Sequence, residues 1–177
     1  MTSKEILEDL RQSFLREQKA LGIHTALGSL LRTFELSHPN FEGFIFRPAE
    51  TKSLVLTTEG KFGVDDKQQI RVPENILDFP LSYTIHLLFH EFIHIRQRAT
   101  PNFSASRPLR EFEAYFAGLF SPNRPVIPLS EHLREQFLAA IEKYYQQMTE
   151  EEKATVQDKY DLAQKRWPES GDPRFLT

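Results

Sequence analysis

The sequence predicts an α+β fold: a small, mostly antiparallel three-stranded sheet packed on a central helix, with further helices around it. Three observations predict it. Before residue 36 and after residue 81, apolar residues recur at every third or fourth position, the spacing of amphipathic helices. Between those stretches, short apolar clusters are divided by Pro48, Gly60, Gly63, Asp65, Asp66 and Pro73, the punctuation of strands and turns. The chain also has 177 residues, 40% of them hydrophobic, enough to bury one core without staples. A single domain over 1–177 is expected, with residues 168–177, which include Gly171 and Pro173, as a surface tail.

Ser3, followed by Ile6, Leu7, Leu10, Phe14 and Leu15, opens a helix over 3–21 that Gly22 ends. Ala26, Leu27, Leu30, Leu31 and Phe34 predict a second helix over 24–36. Three strands follow, around Phe41 to Phe46, Leu54 to Leu56, and Ile70 to Val72. From Leu81 to Ala99 there is no Gly or Pro and the chain is apolar on more than one side, so a largely buried central helix is expected there. Residues 107–120 form a helix with Pro108 in its first turn. Ser130 starts another to about Met148, and Thr149 with Glu152 makes a capping box for a last helix to Lys165.

Composition narrows the chemistry. Lys and Arg number 22 against 25 Asp and Glu, a net charge of −3, which speaks against a nucleic-acid partner. No cysteine is present, so a transition-metal site must be built from His, Asp or Glu. No apolar run reaches the roughly 18 residues of a membrane helix, and a cytoplasmic protein with no membrane partner is expected. Seven glycines are scattered without forming a phosphate-binding loop.

One segment carries chemistry. His90-Glu91-Phe92-Ile93-His94 is an HExxH pattern inside the expected central helix. Residues four apart lie one turn apart on one side of a helix, so both imidazoles aim at one point. Glu91 is placed to take a proton from water at a cation they hold. Tyr83, His86 and Gln97 share this face and would line the cleft or support the ligands. Two imidazoles leave a tetrahedral ion one protein ligand short. Downstream, Glu111 and Glu113 point to different sides of the next helix. Glu113 shares its side with Leu109, Phe116, Ala117 and Phe120, where a carboxylate is costly unless it is paired or binds a cation. Glu113 is therefore the better third ligand, with a salt bridge to Arg98 or Arg110 as the alternative. Ala114, Ala117 and Gly118 would let the two helices approach closely.

An HExxH helix followed by Glu113-Ala114-Tyr115-Phe116-Ala117-Gly118-Leu119-Phe120-Ser121-Pro122 resembles the gluzincin peptidases, and more narrowly the ImmA/IrrE-type zinc peptidases. Those pair HExxH with a second helix of the type Glu-Ala-Asn-x-Phe-Ala. The resemblance implies a zincin-like fold and a Zn2+ cofactor held by His90, His94 and Glu113. It also implies that Glu91 is the catalytic base. Tyr115 stands where the family usually has Asn, and as a phenol it offers a donor to an oxyanion. The expected activity is hydrolysis of a peptide bond in a protein or peptide substrate, with the segment from Leu54 to Thr58 as an edge on which an extended peptide pairs. Three alternatives stand beside it: a catalytically silent zincin-fold binding module, a non-haem iron enzyme, and an all-helical protein in which the histidines are only a polar stripe.

Overall fold

Ser3–Leu21 form α1 and Ile23–Thr33 form α2 in the computed structural model, which describes residues 3–101 and 103–166. The expected tail, 168–177, lies outside the described residues. Gly22 divides the helices because its φ of 90° falls in the left-handed region, which strains any residue with a side chain. The two helices pack together, burying Phe14 from α1 and Ala26, Leu27 and Leu30 from α2.

Phe41–Arg47 (β1), Thr57–Gly60 (β2) and Gln68–Pro73 (β3) make one sheet in the order β1-β3-β2. Central β3 buries Ile70 and Val72 completely. Two expectations are corrected here. The sheet is mixed, not mostly antiparallel: β1 runs parallel to β3, and β2 runs antiparallel to it. After Arg47 the chain crosses over and β3 enters between the two earlier strands. The apolar residues of β3 are buried in either arrangement, so hydrophobic periodicity carried no strand order. The second strand also falls later than Leu54 to Leu56. Leu54, Leu56 and Thr58 are buried and alternate with exposed Val55 and Thr57, so the two-residue period does begin at Leu54. Side chains intercept the ladder there: the Tyr83 hydroxyl donates to the Leu54 carbonyl at 3.4 Å, and the Arg47 guanidinium donates to that of Val55 at 2.7 Å.

A 3₁₀ turn over Ile76–Asp78, not signalled by the sequence, leads through Pro80 into α3, Leu81–Arg98. This helix contacts β2, α1 and that turn, and it is buried on several sides by Ile85, Leu88, Phe92 and Ile95 among others. The loop after β2 is tied to its end: the Gly63 amide donates to the Arg98 carbonyl at 3.1 Å. The Arg98 guanidinium lies 4.8 Å from the centre of the Phe62 ring.

Contacts gather into two compact units, Met1–Phe103 and Ser104–Thr177. The second contains α4 (Arg107–Phe120), α5 (Glu131–Gln146) and α6 (Glu150–Arg166). Their starts are set locally. Ser106 accepts from the Leu109 amide, and Ser130 from the Leu133 amide at 3.2 Å. Thr149 and Glu152 satisfy each other's amides at 2.9 and 3.3 Å, the expected capping box. The described residues thus make an α+β fold with six α-helices and a three-stranded mixed sheet. Among the described residues, no helix is long and apolar enough to cross a membrane.

Candidate metal centre

α3 runs without Gly or Pro from Leu81 to Arg98, so His90 and His94 stand one uninterrupted turn apart. Their ring centres are 4.6 Å apart with planes at 87°, and Nε2 faces Nε2 at 3.0 Å. Two nitrogens bound to one tetrahedral ion at 2.0–2.1 Å are roughly 3.3 Å apart, so small side-chain adjustments suffice to seat a cation between them. Gln97, one turn on, places Oε1 2.8 Å from His94 Nδ1. An Nδ1–H donated to that amide oxygen leaves the His94 Nε2 lone pair directed at His90, the tautomer a metal ligand requires.

Glu91 completes the group: one ligand atom from each of His90, Glu91 and His94 lies within 4.8 Å of the others, an arrangement that can hold a metal ion. Glu91 is 5% exposed and is the one buried carboxylate among the described residues. Burial of an anion is unfavourable without a hydrogen-bond donor or a cation nearby. Thr58 supplies the donor. Its hydroxyl lies 2.8 Å from Glu91 Oε2 and 3.1 Å from the Glu91 carbonyl oxygen. Sequence reasoning missed this residue as part of the site. The available signal was the alternation of Leu54, Leu56 and Thr58, which puts a hydroxyl at the third buried position of an otherwise apolar edge.

The remaining candidates are placed as follows. His86 is fully enclosed one turn before His90. Tyr83 is half-buried with its hydroxyl on the Leu54 carbonyl, and burial pushes its phenol above the usual range. Glu113 and Tyr115 belong to α4, in the second unit. Lys159 donates to Glu113 Oε1 at 3.2 Å, and the Glu113 side chain is 38% exposed. The α4 face predicted to be apolar, with Leu109, Phe116, Ala117 and Phe120, is half-buried, while Phe112, Ala114, Gly118 and Leu119 form the buried one. Gly118 makes room for Phe137 of α5: a Cβ there would stand 2.7 Å from the ring. Tyr115 meets Phe137 edge-on at 5.2 Å and stacks with Tyr144 at 6.0 Å. Glu111 lies 3.7 Å from Arg107.

Comparison with protein families, with curated proteins and with solved structures finds no match to this chain.

Proposed function

We propose that the chain is a zinc-dependent hydrolase of peptide bonds, with a zincin-like first unit whose His90 and His94 hold the metal. The observation that carries this reading is the buried carboxylate of Glu91 beside two imidazoles whose Nε2 atoms face each other at 3.0 Å. A polar stripe with no metal has no use for an enclosed anion at that point. Zinc when bound acts as a Lewis acid on a carbonyl and brings the pKa of water to about 7. Glu91 accepts the proton of the attacking water and returns it to the leaving amine nitrogen. Thr58 keeps Oε2 occupied, which directs that proton to Oε1. For a third ligand the resemblance in α4 nominates Glu113.

An extended peptide or unfolded protein is the substrate class that suits the site. β2 is an edge strand, and its Thr58 is bonded to Glu91, so a chain pairing along β2 by main-chain hydrogen bonds passes beside the base.

The test is metal content and hydrolysis of unfolded casein, measured together. Glu91→Gln retains one zinc per chain and loses hydrolysis; His94→Ala loses the zinc. Full zinc in the His94 variant defeats the ligand assignment. A zinc-loaded parent that cleaves neither casein nor a peptide library is a binding module on this scaffold and not a peptidase.

A further inference from the structure

The closeness of Glu91 to the imidazoles raises a question that the HExxH pattern does not answer. A carboxylate oxygen within 4.8 Å of both ligand nitrogens is near enough, after a side-chain rotation, to bind the same cation directly. An anion only 5% exposed gains strongly by doing so, because the attraction is little screened. A base that became a ligand would occupy the position needed by water.

We propose that Thr58 is the positioning residue that holds Glu91 back as a base and prevents it from joining the ligands. This inference rests on the metal reading above. Thr58 suits the task for three reasons. It is fixed on a paired strand, opposite Ile70, and is itself 7% exposed. Its β-branched side chain has few rotamers, so the hydroxyl stays where the strand puts it. Its single proton faces two acceptors of one residue, the Glu91 carbonyl and Oε2, which fastens the carboxylate to the β2 side of α3. A hydrogen bond to an ionised carboxylate is among the stronger kinds, and no other hydroxyl is bonded to Glu91 among the described residues.

The experiment is the zinc affinity of the full chain, read by competition with a chromophoric chelator and paired with the visible spectrum of the cobalt-substituted protein. Thr58→Val keeps the shape and removes the donor. It is expected to bind zinc more tightly, by roughly tenfold, the low end of the effect that groups around the ligands have on metal affinity. The cobalt bands are expected to shift as a carboxylate oxygen takes the place of water. Thr58→Ser restores parental values. Thr58→Val combined with Glu91→Gln loses the gain, which a merely structural role for Thr58 does not predict. Thr58→Ala carries the same expectation should the valine variant fail to fold.

A donor-free variant that binds zinc no more tightly than the parent overturns the proposal. When that parent still hydrolyses casein, the peptidase reading stands and only the role of Thr58 falls. The full affinity pattern in a parent without hydrolysis keeps Thr58 and removes the peptidase. A parent that takes up no zinc ends both.

Discussion

At position 142 one carboxylate accepts three hydrogen bonds: from the Tyr160 hydroxyl at 2.6 Å, from Gln146 at 2.9 Å and from Gln164 at 3.0 Å. The Tyr160 bond is the main reason the Glu142 carboxyl titrates below its ordinary range. The same bond, from the other side, pushes the Tyr160 phenol up to about 12. The two effects act at opposite ends of the pH scale. Glu142 contributes stability above the ordinary carboxylate pKa and loses it as pH falls through its lowered value. Tyr160 contributes below the ordinary phenol pKa of 10.0 and loses it as pH rises toward about 12, because the unfolded chain releases that proton first. Of five tyrosines, Tyr160 is expected to be a late one in an ultraviolet tyrosinate titration, and Glu142→Gln should bring it back toward 10.0. A Tyr160 that titrates normally in the parent removes the claimed bond. Glu91 presents the contrasting case: it is more deeply buried and has one side-chain donor, the Thr58 hydroxyl, in place of three. That arrangement suits the role proposed for Glu91.

Helices separate two kinds of glycine. Gly28, inside α2, has open surroundings: an added Cβ would meet only Arg32 Nη1 at 3.5 Å. Gly118, inside α4, faces the ring of Phe137, which is 2% exposed and held by Tyr115. Alanine gains about 1 kcal/mol of helix propensity in either place, but overpacking a core costs about 1–3 kcal/mol. Gly28→Ala is therefore expected to stabilise by up to about 1 kcal/mol, and Gly118→Ala to destabilise by about 1 kcal/mol. Urea unfolding with unchanged slopes checks both. A stabilised Gly118→Ala protein would show that α4 and α5 are not in contact at this point. The starts of α5 and α6 were legible in the sequence because capping is local chemistry: Ser130 and the Thr149–Glu152 pair each bond an amide three residues away. β2 was not. Its residues, Thr-Thr-Glu-Gly, present no apolar run, and its place is set by pairing with β3 and by a cross-strand bond from Arg71 to Glu59 at 2.8 Å.

At the scale of the molecule, what the sequence carried was periodicity and spacing, and what it lacked was partnership across the chain. The HExxH spacing placed His90, Glu91 and His94 together because one helix holds all three. Thr58 reaches Glu91 across 33 positions of sequence, and Lys159 reaches Glu113 across 46; neither separation has a sequence period. The strand order was hidden for the same reason. Metal linkage is the measurement that reads the proposed ligands through the stability of the native state. A ligand bound only by the folded chain stabilises it by RT ln(1 + [L]/Kd), about 2.7 kcal/mol at a hundred times Kd. Zinc at that level is expected to raise the parent's thermal midpoint, and excess chelator to cancel the rise. Glu113→Gln, which removes the third ligand that the resemblance implies, should retain little of it: a hundredfold weaker site leaves about 0.4 kcal/mol. Lys159→Met removes the Lys159–Glu113 ion pair but no proposed ligand, so its zinc-dependent rise should equal the parent's, whatever its midpoint without metal. A Glu113→Gln protein with the parent's full rise strikes Glu113 from the ligand set and leaves His90 and His94 to hold the ion with another partner. Loss of the rise in the Lys159 variant as well would mean that the ion pair, and not coordination, underlies the effect at position 113.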